Sequence, residues 1–170
     1  MTTMIDYRRQ DQMRTLWTPY WIVSSEVSAV DSDDLAAIVF SFPAAKYGNS
    51  LIQILDCAIQ VTTIMAGGTI VCELGSYTLA TDAVTTGGDA TIVDIDDYVG
   101  SADVTYGTAG FYWAAGSDWL TARAANANTV EIITPADATV PAVAITITSD
   151  AAITAGKCRA FMRICEVPKL

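Results

Sequence analysis

The chain has 170 residues, 52% of them hydrophobic and only 16% charged. That is enough apolar material for one domain with a dry core, and it is the opposite of a disordered composition. A formal net charge of −10 argues against a general nucleic-acid binder, and the absence of histidine removes the commonest proton shuttle and metal ligand near neutral pH.

Residues 1 to 34 read as an N-terminal arm and 35 to 170 as a β-sandwich domain. The arm carries Arg8, Arg9 and Arg14, then Trp17 and Trp21, and ends in Asp31-Ser32-Asp33-Asp34. It is read as extended or as a short helix, followed by a strand-like Tyr20 to Val23. Two tryptophans in a terminal segment point to docking, on its own domain or on a neighbour. Residues 1 to 17 contain no apolar core of a signal peptide, and no stretch approaches the ~20 apolar residues of a membrane helix. The expectation is a soluble protein made in a cytoplasm, with no membrane partner.

From Leu35 onward the period-2 alternation of strands takes over. Ala36, Ile38, Phe40 and Phe42 are expected on one face of a strand ended by Pro43. Leu51 to Ile64 is apolar on both faces (Ile52 and Ile54; Leu55, Cys57, Ile59 and Val61), as in a central strand. Gly67-Gly68 is a turn. Ile70, Cys72 and Leu74 point inward with Glu73 outward, and Gly75 ends that strand, although Tyr77 to Leu79 can continue it beyond a bulge. Residues 81 to 110 read as a long Gly/Asp/Thr-rich loop with one short strand, Thr91 to Ile95. Residues 118 to 126 fit either a helix capped by Ser117 or, preferred because both neighbours are β, a hairpin turning at Asn126 to Asn128 into Thr129 to Ile133. Val143, Ile145 and Ile147 alternate with Thr146 and Thr148. The last strand, Lys157 to Val167, sets Cys158, Ala160, Met162 and Ile164 against Arg159, Phe161 and Arg163. About eight strands without a long helix predict an all-β fold, an antiparallel two-sheet sandwich of jelly-roll or Greek-key type.

The residues offer little catalytic equipment. Triads and zinc sites that need histidine are absent, and Gly156-Lys157 lacks the rest of a phosphate-binding loop. Only four glutamates occur, but two aspartates acting as a glycosidase pair stay open, because sequence does not reveal carboxylate separation. Asp94-Ile95-Asp96-Asp97 is either a calcium-binding loop or a solvated acidic turn, with the turn preferred. No catalytic residue, metal ligand or cofactor is assigned. Cys57, Cys72, Cys158 and Cys165 lack paired spacing and read as buried free thiols, with connectivity undecidable from spacing. Tyr112, Trp113 and Trp119, with Phe111, form the densest aromatic group, which is either a core plug or a binding platform. Charge is uneven: between Lys46 and Arg123 there are nine acids and no base, a polarity that can orient the protein on a charged partner.

The closing run Ala151-Ala152-Ile153-Thr154-Ala155-Gly156-Lys157-Cys158-Arg159-Ala160-Phe161-Met162-Arg163-Ile164, the Ala/Thr/Gly-rich strands and the polar arm before Leu35 resemble small virion proteins of tailed bacteriophages. The similarity is to the capsid decoration (cement) and head-fibre types, in which a T-A-G-K turn leads into the last strand. It spans residues 35 to 167 loosely and transfers no functional residue. It implies a non-enzymatic virion protein on the capsid surface, made in the host cytoplasm. Its partners would be the major capsid protein and further copies of itself, with a homotrimer favoured. The arm residues Arg8, Arg9, Arg14, Trp17 and Trp21, together with Tyr112, Trp113 and Trp119, are the candidate partner contacts. A receptor- or glycan-binding module of a head or tail fibre is the alternative, and a small β-fold hydrolase is a third reading.

Overall fold

A computed structural model describes residues 18–30, 34–80, 90–100, 106–113 and 132–169. In chain order the elements are β1 (Tyr20–Val23), β2 (Val27–Ser28), β3 (Asp34–Ser41), the one-turn helix α1 (Ala44–Tyr47), β4 (Ser50–Ala66), β5 (Ile70–Leu79), β6 (Ala90–Val99), β7 (Gly110–Trp113), β8 (Ile132–Ile133), β9 (Val140–Ser149) and β10 (Ala155–Pro168). They form two antiparallel sheets. One has the order β1-β10-β4-β7, with β2 beside β10 and β8 beside β4; the other has the order β3-β9-β5-β6.

Set the two-residue strands β2 and β8 aside, and the eight principal strands pair as nested partners. The first pairs with the last (β1 with β10), the second with the seventh (β3 with β9), the third with the sixth (β4 with β7) and the fourth with the fifth (β5 with β6). This is the wiring of a jelly roll, in which a long hairpin of paired strands is wrapped so that alternate pairs fall in opposite sheets. The expected two-sheet sandwich is therefore present, with the topology resolved. The segment Tyr20 to Ser28, counted with the arm in the sequence, lies as edge strands on β10. Arg8, Arg9, Arg14, Trp17 and Trp119 lie outside the described residues, as does the Ser117 helix-or-hairpin.

Between the sheets lies one continuous core. The six-stranded sheet contributes Ile52, Ile54, Cys57, Ile59, Val61, Cys158, Ala160, Met162 and Ile164, and the four-stranded sheet Phe40, Ile70, Cys72, Leu74, Val143, Ile145 and Ile147. The alternation expected for β9 and β10 holds along both strands. Three other expectations change, two of them because of bulges, where one extra residue inverts the side-chain parity. In β3 a register shift between Ile38 and Phe40 sends Ile38 to a second apolar cluster with Tyr77, Leu79, Val140, Ala142 and Ala144, while Phe40 enters the main core. In β4 the register skips Leu55, so Ile52 and Ile54 before it and Cys57, Ile59 and Val61 after it all reach the same core. The strand is not apolar on two faces; it keeps one face inward through the bulge. Gly75 does not end β5, which stays in unbroken register with β9 from Ile70 to Leu79. Small residues face each other there, Gly75 opposite Ala144.

The chain crosses from β4 in one sheet to β5 in the other at Gly67 and Gly68, with φ of 110° and 58°. A side chain at Gly67 would also run into the Ala152 carbonyl. The corner is held by the Thr69 backbone N–H donating to Asp150 Oδ1 at 2.6 Å, a bond that lowers the Asp150 carboxyl below its ordinary range. Gly67→Ala should cost more than about 1 kcal/mol in chemical denaturation, because φ and space are both wrong for a Cβ. The lowered carboxyl also sets a pH dependence. Its contribution is complete above the ordinary value of 3.8 and is lost as pH falls through the lower folded-state value. The stability difference between the parent and Asp150→Asn should therefore shrink as pH is taken below that value, measured by thermal unfolding across an acid series.

Candidate functional site

Outward-facing side chains of the six-stranded sheet follow from its register. One row across the strands is Val23, Phe161, Ala58, Trp113; the next is Arg159, Gln60, Phe111; on the other side lies Trp21, Arg163, Asp56. These rows place four aromatic rings on one face, drawn from β1, β10 and β7. Trp21 is 43% exposed, Phe111 48% and Trp113 38%, and Val23 beside them is exposed as well.

The rings are in contact with one another. Trp21 meets Trp113 edge to face, with centroids 5.7 Å apart. Phe111 and Trp113 lie nearly parallel, 6.3 Å apart and inclined by 19°, and Phe111 meets Phe161 edge to face at 5.1 Å. Trp21 and Trp113 sit on opposite edge strands, so their rings reach toward each other across β10 and β4. Ala58, between Phe161 and Trp113 in register, is 0% exposed although it faces outward. A methyl group here lets the rings close over the strand; a larger residue would lift them.

Polar groups frame the rings. Arg159 Nε donates to Gln60 Oε1 at 2.7 Å, and its guanidinium lies 5.5 Å from the Phe161 ring centroid, a cation–π geometry. Lys157 Nζ is 3.2 Å from Glu26 Oε2, and Glu26 also accepts from the Thr62 hydroxyl at 2.6 Å. The Thr62 bond first and Lys157 second hold the Glu26 carboxyl below its ordinary range. On the inner side of β1, away from the rings, the Tyr20 hydroxyl donates to Glu166 at 2.6 Å. Burial first, then this bond, pushes the Tyr20 phenol well above its ordinary range. Lys157, Arg159 and Arg163 thus line one side of β10, in a chain whose net charge is −10.

Trp21 and Trp113, singled out from different parts of the sequence, meet in this face. Tyr112 does not join them: strand alternation turns it inward, half-buried against the core, with its hydroxyl donating to the Thr108 carbonyl at 2.7 Å. The aromatic run is thus divided residue by residue, with Tyr112 packed on the core and Phe111 and Trp113 exposed. Phe161, Arg159 and Gln60 complete the face. The outward parity of Phe161 and Arg159 is readable in β10, but their neighbours are set by strand register. The acidic group Asp94 to Asp97 lies within β6 and not in a loop; among the described residues no three or more acidic or cysteine side chains are placed to hold a metal ion. Among the described residues no helix is long and apolar enough to cross a membrane.

Comparison with protein-family models, curated proteins and solved structures returns no match. The physical character of the face is nonetheless defined. An exposed cluster of contacting aromatic rings, edged by arginine and an amide, has the composition of an interaction hot spot. Ala58→Leu is expected to destabilise the fold by roughly 1–3 kcal/mol through overpacking, and to change the tryptophan fluorescence by parting Trp21 from Trp113. Urea denaturation followed by that fluorescence measures both.

Proposed function

We propose that this chain is a non-catalytic structural protein of a tailed-phage virion, a capsid decoration protein that binds the assembled head and docks through the aromatic face of its six-stranded sheet. The observation that carries the reading is the exposed cluster of Trp21, Phe111, Trp113 and Phe161 on a folded jelly roll. Leaving three large rings more than a third exposed is unfavourable for an isolated protein, and docking removes that apolar area from water at ~25 cal/mol per Å². The jelly roll recurs in viral shell and lectin domains, which supports the reading by analogy of fold only. A low-charge surface rich in alanine and threonine suits packing among copies, and self-association as a trimer belongs to the same proposal. Such a protein acts by binding the assembled shell better than its separated subunits, so its affinity adds to shell stability by mass action.

One observation favours a second reading, a glycan-binding module of a fibre. Phe111 and Trp113 are nearly parallel neighbours on one strand, with Gln60 and Arg159 beside them to meet hydroxyl groups. Flat apolar rings edged by planar polar groups suit the faces and rims of sugar rings.

Genetic removal separates the two. Particles lacking the chain should assemble but rupture at lower temperature, and adding the purified protein should restore them. Trp113→Ala should weaken that rescue by about 2 kcal/mol, roughly 30-fold in affinity, while its thermal unfolding stays cooperative. Equally robust particles that fail to attach to cells would transfer the face to the glycan reading.

A further inference from the structure

The two sheets differ in charge. Strands of the six-stranded sheet hold Lys157, Arg159 and Arg163 against Asp56 and Glu166. Those of the four-stranded sheet hold Asp34, Glu73, Asp94, Asp96 and Asp97 and no basic residue. β6 is an edge strand of this acidic sheet, and among the described residues it pairs with β5 alone. Thr91, Ile92, Val93 and Asp94 are all exposed, Ile92 by 58% and Val93 by 63%. Consecutive residues of a strand point to opposite faces, so this stretch is bare on both. A strand bare on both faces and along one edge is a template for a further strand.

Charge decides which strand fits. A second β6 would set aspartates of one copy against those of the other. The register also passes from Asp94 opposite Ser76 to Ile92 opposite Tyr77 and leaves Val93 out, a bulge that spoils the match of two like edges. An added strand has to bring positive charge and apolar side chains. Residues 1 to 17, outside the described residues, carry Arg8, Arg9 and Arg14 among Met4, Ile5, Tyr7, Met13 and Leu16. They lead into β1, which is separated from β4 by β10, whereas β6 lies against β4. A copy's own segment therefore starts on the far side of the sandwich from β6, and a neighbouring copy's segment need not make that detour.

We propose that the free edge of β6 receives, by strand addition, the arginine-bearing segment 1 to 17 of a second copy of this chain. Backbone hydrogen bonds supply the affinity, Ile92 and Val93 are covered by its apolar residues, and Asp94 meets its arginines. The contact joins two different surfaces, so it links copies head to tail and ends where a ring closes. It does not depend on what the aromatic face binds.

The test uses the full chain in analytical ultracentrifugation over a concentration series. The chain should self-associate reversibly, and less so in high salt. Asp94→Lys should weaken association about tenfold, as should Arg8→Asp with Arg9→Asp. Asp94 is exposed, so its substitution leaves the core intact. Combining all three substitutions should recover most of the loss, because opposite charges again meet across the same contact, and a misfolded variant could not give that recovery. Trp113→Ala should leave association unchanged, whatever it does to particle binding. In parallel, backbone amides of residues 91 to 94 in the unsubstituted chain should exchange more slowly as association saturates. A chain that stays a single copy at every concentration overturns the proposal, as do charge reversals without effect, a loss that the combined variant fails to recover, or amides of β6 that gain no protection. Association strengthened by Asp94→Lys, the signature of two β6 edges meeting, overturns it as well.

Discussion

The antiparallel ladder between β4 and β10 is the constraint on which the rest of the molecule rests. It runs from Ala155 opposite Ala66 to Pro168 opposite Ser50, and it occupies the middle of the larger sheet. Strands this long must keep one face dry along their whole length, although twist carries them out of step with the sheet beneath. The chain meets that demand by inserting residues. The irregularity between Arg163 and Ile164, which skips Leu55, keeps the apolar set inward, so Ile52, Ile54, Cys57, Ile59 and Val61 all reach the core despite their change of parity.

The same ladder organises the outer surface. Once the inner residues are committed to the core, alternation obliges their neighbours to face out, and these include Arg159, Phe161 and Arg163 on β10 with Ala58 and Gln60 on β4. The edge strands β1 and β7 then bring Trp21 and Trp113 to the two sides of this strip. An aromatic face on solvent is thus the counterpart of the core: one strand pair supplies the buried apolar rows on one side and the exposed rings on the other. Rigid support from the sheet below also lowers the entropy lost when such rings dock.

The core itself is mostly aliphatic, with Phe40, Phe42, Tyr47 and Tyr98 as its aromatic members and Cys57, Met65, Cys72, Cys158 and Met162 carrying its sulfur. The buried thiols pack there as small hydrophobes.

Much of this was legible in the amino-acid sequence. The run Cys158, Ala160, Met162, Ile164 set against Arg159, Phe161, Arg163 states both faces of β10, and Val143, Ile145 and Ile147 do the same for β9, because side-chain direction in a strand is a local property with period two. The all-β class follows from those runs and from the absence of helical spacing. Parity across a bulge is not local: whether Ile38 and Phe40 share a face depends on one residue left out of the pairing with β9, and nothing in the residue types marks it. Nor does any spacing announce that Trp21 and Trp113, some ninety positions apart in the chain, close over Ala58. By itself the sequence determined which residues alternate, and hence that two sheets must cover each other. Only the tertiary structure decided the nested jelly-roll pairing and the meeting of the rings, because those depend on strand register between distant segments, and register is settled by the joint packing of the whole core.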